Sequence, residues 1–348
     1  KVNLLKSSPD VEPEDLYVAC MVKAQQMIDD DIKIHLPAII ARDPKSDEAK
    51  VAQQKLMVAQ QLQDWGGLTR KVAKRPVMTW GYSSRRYGFA DQIRTDWMKK
   101  ITKDLQRGQL KHPVKKDKEG EPLKVTEHPF GADEGFALSI YLAGVLQVAI
   151  ENTVTSAKEG QDFFKKCARA CAKENKHFRF TTPLGFPMEQ FYRESNPRER
   201  QRVYLTDKDT RLEKKQAKAD VVSFSDKVRM PKSENAVSPN IIHAMDATHL
   251  MKTVLLCETN DLRKVTDIMV VHDCFATTID NVEVMSACVR AAFRDLYSDY
   301  CLYTDVLQQT IAQLDNPDDA DLPAIPDKGS EDGLLDLNEV LSSDYAFS

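Results

Sequence analysis

Three groups of side chains in this 348-residue sequence have the types and spacings to do chemistry. The first is Arg70, Lys74 and Tyr82, in "RKVAKRPVMTWGYSS". Arg and Lys four residues apart share one face of a helix. An arginine fork beside a lysine point charge can grip a polyphosphate. Tyr82, about two turns on, is within reach of a sugar or base attached to those phosphates. The second group is His272–Asp273, in "DIMVVHDCFATTI". A carboxylate inside an apolar run is expected to be buried, and a lone buried carboxylate is costly unless it is paired or holds a metal. The third is His243 and His249, in "SPNIIHAMDATHL", whose ring nitrogens can donate or accept. Taken singly, each has a plainer explanation: a solvated basic helix face, an ion pair, a hydrogen-bonded core histidine.

The elements that must position these residues can be read from periodicity and breakers. Pro13 and the acids after it open a helix over "PEDLYVACMVKAQQMI", and 47–62 reads as another. "DWGGLTR" breaks the chain before a mostly helical stretch from Lys71 to Lys103, with a turn near 82–88. Pro76 crowds the carbonyl of Val72, so that helix is expected to start near Ala73 or to bend. "KHPVKKDKEGEPLK" reads as a charged loop, and 136–171 as strongly helical. "HFRFTTPLGFPMEQFYRE" reads as strand, turn and strand. Residues 194–235 are dense in charge and read as an exposed hairpin or loop. Helices follow over 240–258, 281–300 and 302–314, with a strand hairpin over 268–279. The expected fold class is mainly α with a small antiparallel sheet, an α+β arrangement.

Composition narrows the functions only slightly. The chain carries 49 Lys or Arg against 53 Asp or Glu, so whole-chain charge argues neither for nor against a polyanionic partner. The distribution says more. Residues 70–124 hold 16 bases and 6 acids, a possible electrostatic footprint for phosphates, while 314–348 hold 10 acids and one base. Seven scattered cysteines form no zinc-finger spacing; Cys167 and Cys171 fall on one helical face, and the odd count fits a reducing compartment. The longest uncharged apolar run, 136–150, is shorter than the roughly 20 residues of a membrane span, so no membrane partner is expected.

The motifs gain meaning from their order. R-x3-K-x7-Y is followed by "TTPLGFP", "SPNIIHAMDATHL" and "VVHDCF", and "SDYAF" lies near the end. This order and spacing resemble the single-subunit RNA polymerases of phage and mitochondria over nearly the whole chain, most weakly over 194–235. The resemblance implies part of a right-handed polymerase: a palm junction over 1–8, fingers over 9–240 with a specificity-type hairpin at 189–232, and the C-terminal half of the palm over 241–348. It implies that Arg70 and Lys74 bind the triphosphate of an incoming nucleotide, with Tyr82 at its sugar and base. His243 would contact the ribose 2′-hydroxyl. Asp273 would be catalytic and bind magnesium, with His272 beside the primer end. His249 and Asp246 keep their structural explanation. The related DNA polymerases carry an aromatic at the position of Met78 and Glu at that of Cys274, so both residues point to RNA synthesis; a DNA polymerase fragment of that related class is the alternative. One departure is Ser83, where the family usually has Gly, a residue with greater backbone freedom.

The implied reaction is DNA-directed RNA synthesis from nucleoside triphosphates, by a mechanism using two Mg2+ ions held between two aspartates. One is Asp273. The family's other aspartate lies in a D-G-S-like motif just upstream of the stretch resembling "KVNLL", with which this sequence opens. Three explanations follow: a polymerase of two polypeptides of which this is the larger, C-terminal one; an upstream part that is only cut away; or a non-catalytic relative that binds nucleic acid. The first is the expectation. It implies a heterodimer with an N-terminal subunit that carries the other aspartate, a DNA template, an RNA product, and a viral protein at work in the cytoplasm of an infected bacterial host.

Overall fold

The computed structural model describes residues 14–196, 223–271, 273–298, 300–327 and 335–347, and the backbone of 201–205 and 217–221. The chain divides into two compact units, and the described residues part between Lys158 and Glu159. This is a division by packing. The expected fingers and palm are a division by role.

The first unit is built around its most apolar segment. Helices α1 (Leu16–Asp30), α2 (Leu36–Arg42), α3 (Asp47–Asp64), α4 (Arg70–Gly81), α5 (Arg86–Ile93) and α6 (Lys99–Gln106) precede a hairpin of β1 (Lys111–Lys116) and β2 (Pro122–Lys124). Then comes α7 (Phe136–Glu151). A helix that is apolar on all sides belongs inside. Accordingly α7 packs against α1, α3, α4 and α5, with Leu138, Leu142, Leu146 and Ala149 in one core with Ile28, Leu62, Val72 and Ile93. The run 136–150 is thus a core helix. No single described helix is long and apolar enough to cross a membrane.

Local chemistry fixes where α4 begins and ends. Gly66 and Gly67 both have positive φ, at 103° and 81°, and reverse the chain after α3. The Leu68 amide then donates to Gln25 Oε1 at 2.8 Å, which ties the turn to α1. The helix starts at Arg70, not near Ala73, and runs on through a buried Pro76. At its far end Ser83 N donates to the Trp80 carbonyl and Ser84 N to that of Thr79, both at 3.0 Å. That is a Schellman cap with Ser83 in the left-handed position usually taken by glycine, φ 64°.

The second unit continues α8 (Thr155–Lys173) into β3 (Arg179–Thr181), β4 (Pro187–Glu189), β5 (Arg193–Ser195), β6 (Gln201–Leu205), β7 (Ala217–Val221) and β8 (Phe224–Val228). There follow α9 (Met230–Glu258), β9 (Ile268–Val271), β10 (Cys274–Thr277), α10 (Val282–Ser298) and α11 (Leu302–Gln313). Strands pair only in twos among the described residues: β3 with β4, β5 with β8, β6 with β7, β9 with β10, all antiparallel. Within the stretch 189–232, where a hairpin was expected, β5 pairs with β8 and β6 with β7. Phe163, Phe164, Cys167 and Cys171 of α8 share a core with Phe178, Phe180, Ile241, Met245 and Val306. Burial pushes the Cys167 thiol up to about 12 and that of Cys171 to about 11, so both are protonated core groups. All seven cysteines are free thiols.

The mainly helical fold with small antiparallel pieces matches the sequence expectation, with local differences. The expected charged loop over 111–124 is the β1–β2 hairpin. The helix expected from Asn240 starts ten residues earlier, at Met230, and runs through Pro239. Helix α2 follows a π-helical turn over Asp31–His35 that periodicity did not reveal.

Candidate functional site

In the first unit, α4 sorts its side chains cleanly. Val72, Ala73, Pro76, Val77 and Trp80 are buried, while Arg70, Lys74, Met78 and Tyr82 lie exposed at four-residue intervals. Arg70 and Lys74 do share one face. The guanidinium carbon of Arg70 is 5.1 Å from the centre of the Tyr17 ring, and Lys74 Nζ is 5.7 Å from it. Two cations in the first turns of a helix oppose its positive N-terminal dipole. Compensation comes from α1: Arg70 Nε donates to Asp15 Oδ2 at 2.6 Å. Arg75, on the same helix, is different. Its guanidinium is committed to both oxygens of Asp96, at 2.7 and 2.8 Å. A cavity of about 450 Å3 lies along that side of α4, lined by Trp65, Arg75, Pro76, Trp97 and Lys111 among others, and includes neither Arg70, Lys74 nor Tyr82. Tyr82 and Met78 keep about half their surface, 52% and 47%.

In the second unit, β9 and β10 pair in the register Val271↔Cys274, Val270↔Phe275, Met269↔Ala276 and Ile268↔Thr277. Asp273 is a turn residue directly before β10. His272 lies outside the described residues. Asp273 is exposed, which corrects the expectation of a buried carboxylate. The reason is that only one face of the ribbon packs. Ile268 and Phe275 rest on a core of Cys257, Val265, Met285 and Val289, whereas Met269 and Val271 on the other face are 66% and 57% exposed. The Cys274 thiol donates weakly to Asp273 Oδ1 at 3.8 Å.

Helix α9 brings its own polar face to the same neighbourhood. Ile241, Ala244, Met245 and Thr248 are buried, and His243 and Asp246 are exposed. Partial burial of its carboxyl raises the pKa of Asp246, and the negative charge of Asp273 adds to this, while His243 and His249 pull it down. His243, Asp246 and Asp273 therefore form one electrostatic patch. Tyr297 of α10 borders it, pushed up to about 12 by burial and then by Asp246. Neither Asp246 nor Tyr297 stood out as a site candidate in the sequence. The signal for Asp246 was its three-residue spacing from His243.

His249 has the structural role expected of it. It is buried, and its Nε2 donates to the Val289 carbonyl at 2.9 Å. The C-terminal residues pack on it: Phe347 stacks on the imidazole at 5.3 Å, and Arg290 donates to the Ala346 carbonyl at 3.2 Å. The ending "SDYAF" thus lies one to two turns of α9 from His243.

Among the described residues, no three His, Cys, Asp or Glu side chains form a group that could hold a metal ion. Asp273, exposed at the turn, offers a hard oxygen donor. That fits magnesium, which binds through one or two carboxylates together with substrate phosphates.

The first unit thus carries a cationic face on α4, and the second an exposed turn carboxylate beside a histidine-bearing helix. A family model described as DNA-dependent RNA polymerase matches residues 1–321. The chain belongs to this family, the single-subunit RNA polymerases of phages and organelles. It is 25% identical to the DNA-directed RNA polymerase of Enterobacteria phage T3, over all of this chain and 37% of that enzyme. It is 27% identical to that of phage K11, over 81% of the chain and 29% of the relative. A mitochondrial RNA polymerase of Nicotiana tabacum is also 27% identical, over 88% of the chain and 25% of the relative. The chain therefore spans between a quarter and just over a third of the length of these relatives.

Proposed function

We propose that this chain supplies the fingers and the C-terminal half of the palm of a DNA-directed RNA polymerase. Arg70 and Lys74 bind the triphosphate of the incoming nucleotide. Tyr82 and Met78 lie against its sugar and base, and His243 reads the ribose 2′-hydroxyl. His272 lies beside the primer end. The observation that carries this reading is the α4 face, in a chain of this family: two cations converge on one ring, and Lys74 forms no ion pair among the described residues.

Asp273 is one of the two carboxylates that hold the catalytic magnesium ions. When bound, those ions stabilise the attacking and leaving oxygens of the nucleotidyl transfer. The exposed turn leaves Asp273 accessible to ions and substrate phosphates. The other carboxylate comes from an N-terminal polymerase subunit. The exposed outer face of the β9–β10 ribbon supports this, because a two-stranded ribbon with one bare apolar face is marginal alone and is completed by added strands or a covering chain. The phage relatives support a viral protein acting in the cytoplasm of an infected bacterium.

Primer extension tests the reading. The chain with its N-terminal partner is expected to extend a primer on a DNA template using ribonucleotides. Robust synthesis by the chain alone would contradict the division of the site between two polypeptides. A preference for deoxyribonucleotides would favour the DNA polymerase alternative.

A further inference from the structure

We propose that Asp15 and Tyr17, at the start of α1, are positioning residues that set the Arg70–Lys74 face for a polyphosphate. The inference rests on the reading of that face as the triphosphate site.

Asp15 is fixed at both ends. Its Oδ1 accepts from the amides of Tyr17 at 2.8 Å and Val18 at 3.1 Å, as the N-cap of α1. Its Oδ2 accepts from Arg70 Nε at 2.6 Å. Although desolvation works the other way, the bonds from Arg70 and the two amides hold the carboxyl below the usual carboxylate range, so it is charged at neutral pH.

The geometry of the guanidinium gives this pairing its consequence. Arginine presents five N–H donors in a fixed fork. Asp15 takes the Nε edge only. The Nη1 and Nη2 groups make no hydrogen bond to a described residue, so the outer edge of the fork remains for an anion. A carboxylate that competed with phosphate for Arg70 would occupy its Nη groups, as both oxygens of Asp96 occupy Nη1 of Arg75. Tyr17 completes the seat. Its ring lies under both cations and offsets their mutual repulsion without taking any of their donors. A preset fork loses less freedom when ligand binds.

Asp15 and Arg70 are 55 residues apart and meet only through the packing of α1 on α4. A local motif does not reveal the pair.

The test uses the complete, active polymerase. Asn caps helices as well as Asp does, so Asp15→Asn keeps the α1 cap and removes the acceptor and charge for Arg70. The KM for nucleoside triphosphate is expected to rise about threefold to fivefold, the scale of an exposed charge pair, with kcat nearly unchanged. The same substitution in an Arg70→Ala background is expected to add nothing, since Asp15 acts through Arg70. Tyr17→Leu is expected to raise KM likewise, and Tyr17→Phe to restore it. Thermal unfolding of each variant checks that the fold is kept. A KM that stays level or falls with Asp15→Asn would overturn the proposal, a fall meaning that Asp15 competes with phosphate. Full additivity with Arg70→Ala would overturn it too, because the effect would then belong to the helix cap. If Arg70→Ala and Lys74→Ala themselves leave KM unchanged, the triphosphate reading has failed and this inference with it.

Discussion

Ser83 offers a stability test that can be worked through from its geometry. It occupies the left-handed C′ position of the α4 cap at φ 64°, and its hydroxyl is buried without a hydrogen-bond partner. The left-handed conformation costs a residue with a Cβ roughly 1–2 kcal/mol. A buried, unsatisfied hydroxyl costs about 1–3 kcal/mol more. Ser83→Gly removes both, and gives back roughly 0.5–1 kcal/mol through the greater freedom of glycine in the unfolded chain. The expected net gain is at least about 1 kcal/mol, or roughly 2–4 °C in the unfolding temperature of a unit of this size. Ser83→Ala separates the contributions: it removes the hydroxyl, keeps the strain and should stabilise less. The two units need not unfold together, so the assay is urea unfolding followed by the fluorescence of Trp65, Trp80 and Trp97, all of which lie in the first unit. A higher midpoint at unchanged slope is the expected result. A lower midpoint for Ser83→Gly than for the parent would refute the assigned strain.

Three further outcomes follow from the site. Tyr82→Phe should reduce discrimination between ribose and deoxyribose triphosphates by about tenfold, the scale of one lost polar contact; an unchanged ratio of kcat/KM values would remove Tyr82 from the sugar. Burial lowers the pKa of His249 below its ordinary 6.5, while its bond to Val289 and the charge of Asp246 oppose this less strongly. Its contribution to stability is therefore complete above about pH 6.5 and is lost as pH falls through the lower folded value; an imidazole that titrates above 6.5 by NMR would contradict this packing. Val271→Lys, on the bare ribbon face, should leave folding intact by circular dichroism and abolish binding of the N-terminal partner in size-exclusion chromatography. Undiminished binding would move the interface elsewhere.

Local signals carried much of this architecture. The spacing of Arg70, Lys74, Met78 and Tyr82 identified one exposed face because α4 is regular and its other face is almost wholly apolar. The strand hairpin around Asp273 was legible from its apolar runs and its polar turn. What its letters hid was exposure: Met269 and Val271 are as apolar as Ile268 and Phe275, yet only the latter pair packs within the chain. A sequence does not distinguish a residue buried in its own core from one left for another surface. The start of α9 was missed because charged residues around Lys232 and Glu234 read as loop, although Glu234 is held by a two-point ion pair with Arg169 of α8. Asp15 and Tyr17 were invisible for the same reason, since their partners are distant in the chain. Ser83 shows the opposite. The family's preference for Gly at that point reports a left-handed cap, and the backbone adopts it even with serine in place.

Asp273→Asn provides the most direct measurement of the central claim. Introduced into the assembled polymerase, it preserves the size and shape of the turn and removes one negative charge. The account predicts that primer extension is abolished while circular dichroism, thermal unfolding and binding of the N-terminal partner are unchanged. Synthesis that persists near the parental rate would contradict it, because Asp273 would then not be one of the two catalytic carboxylates.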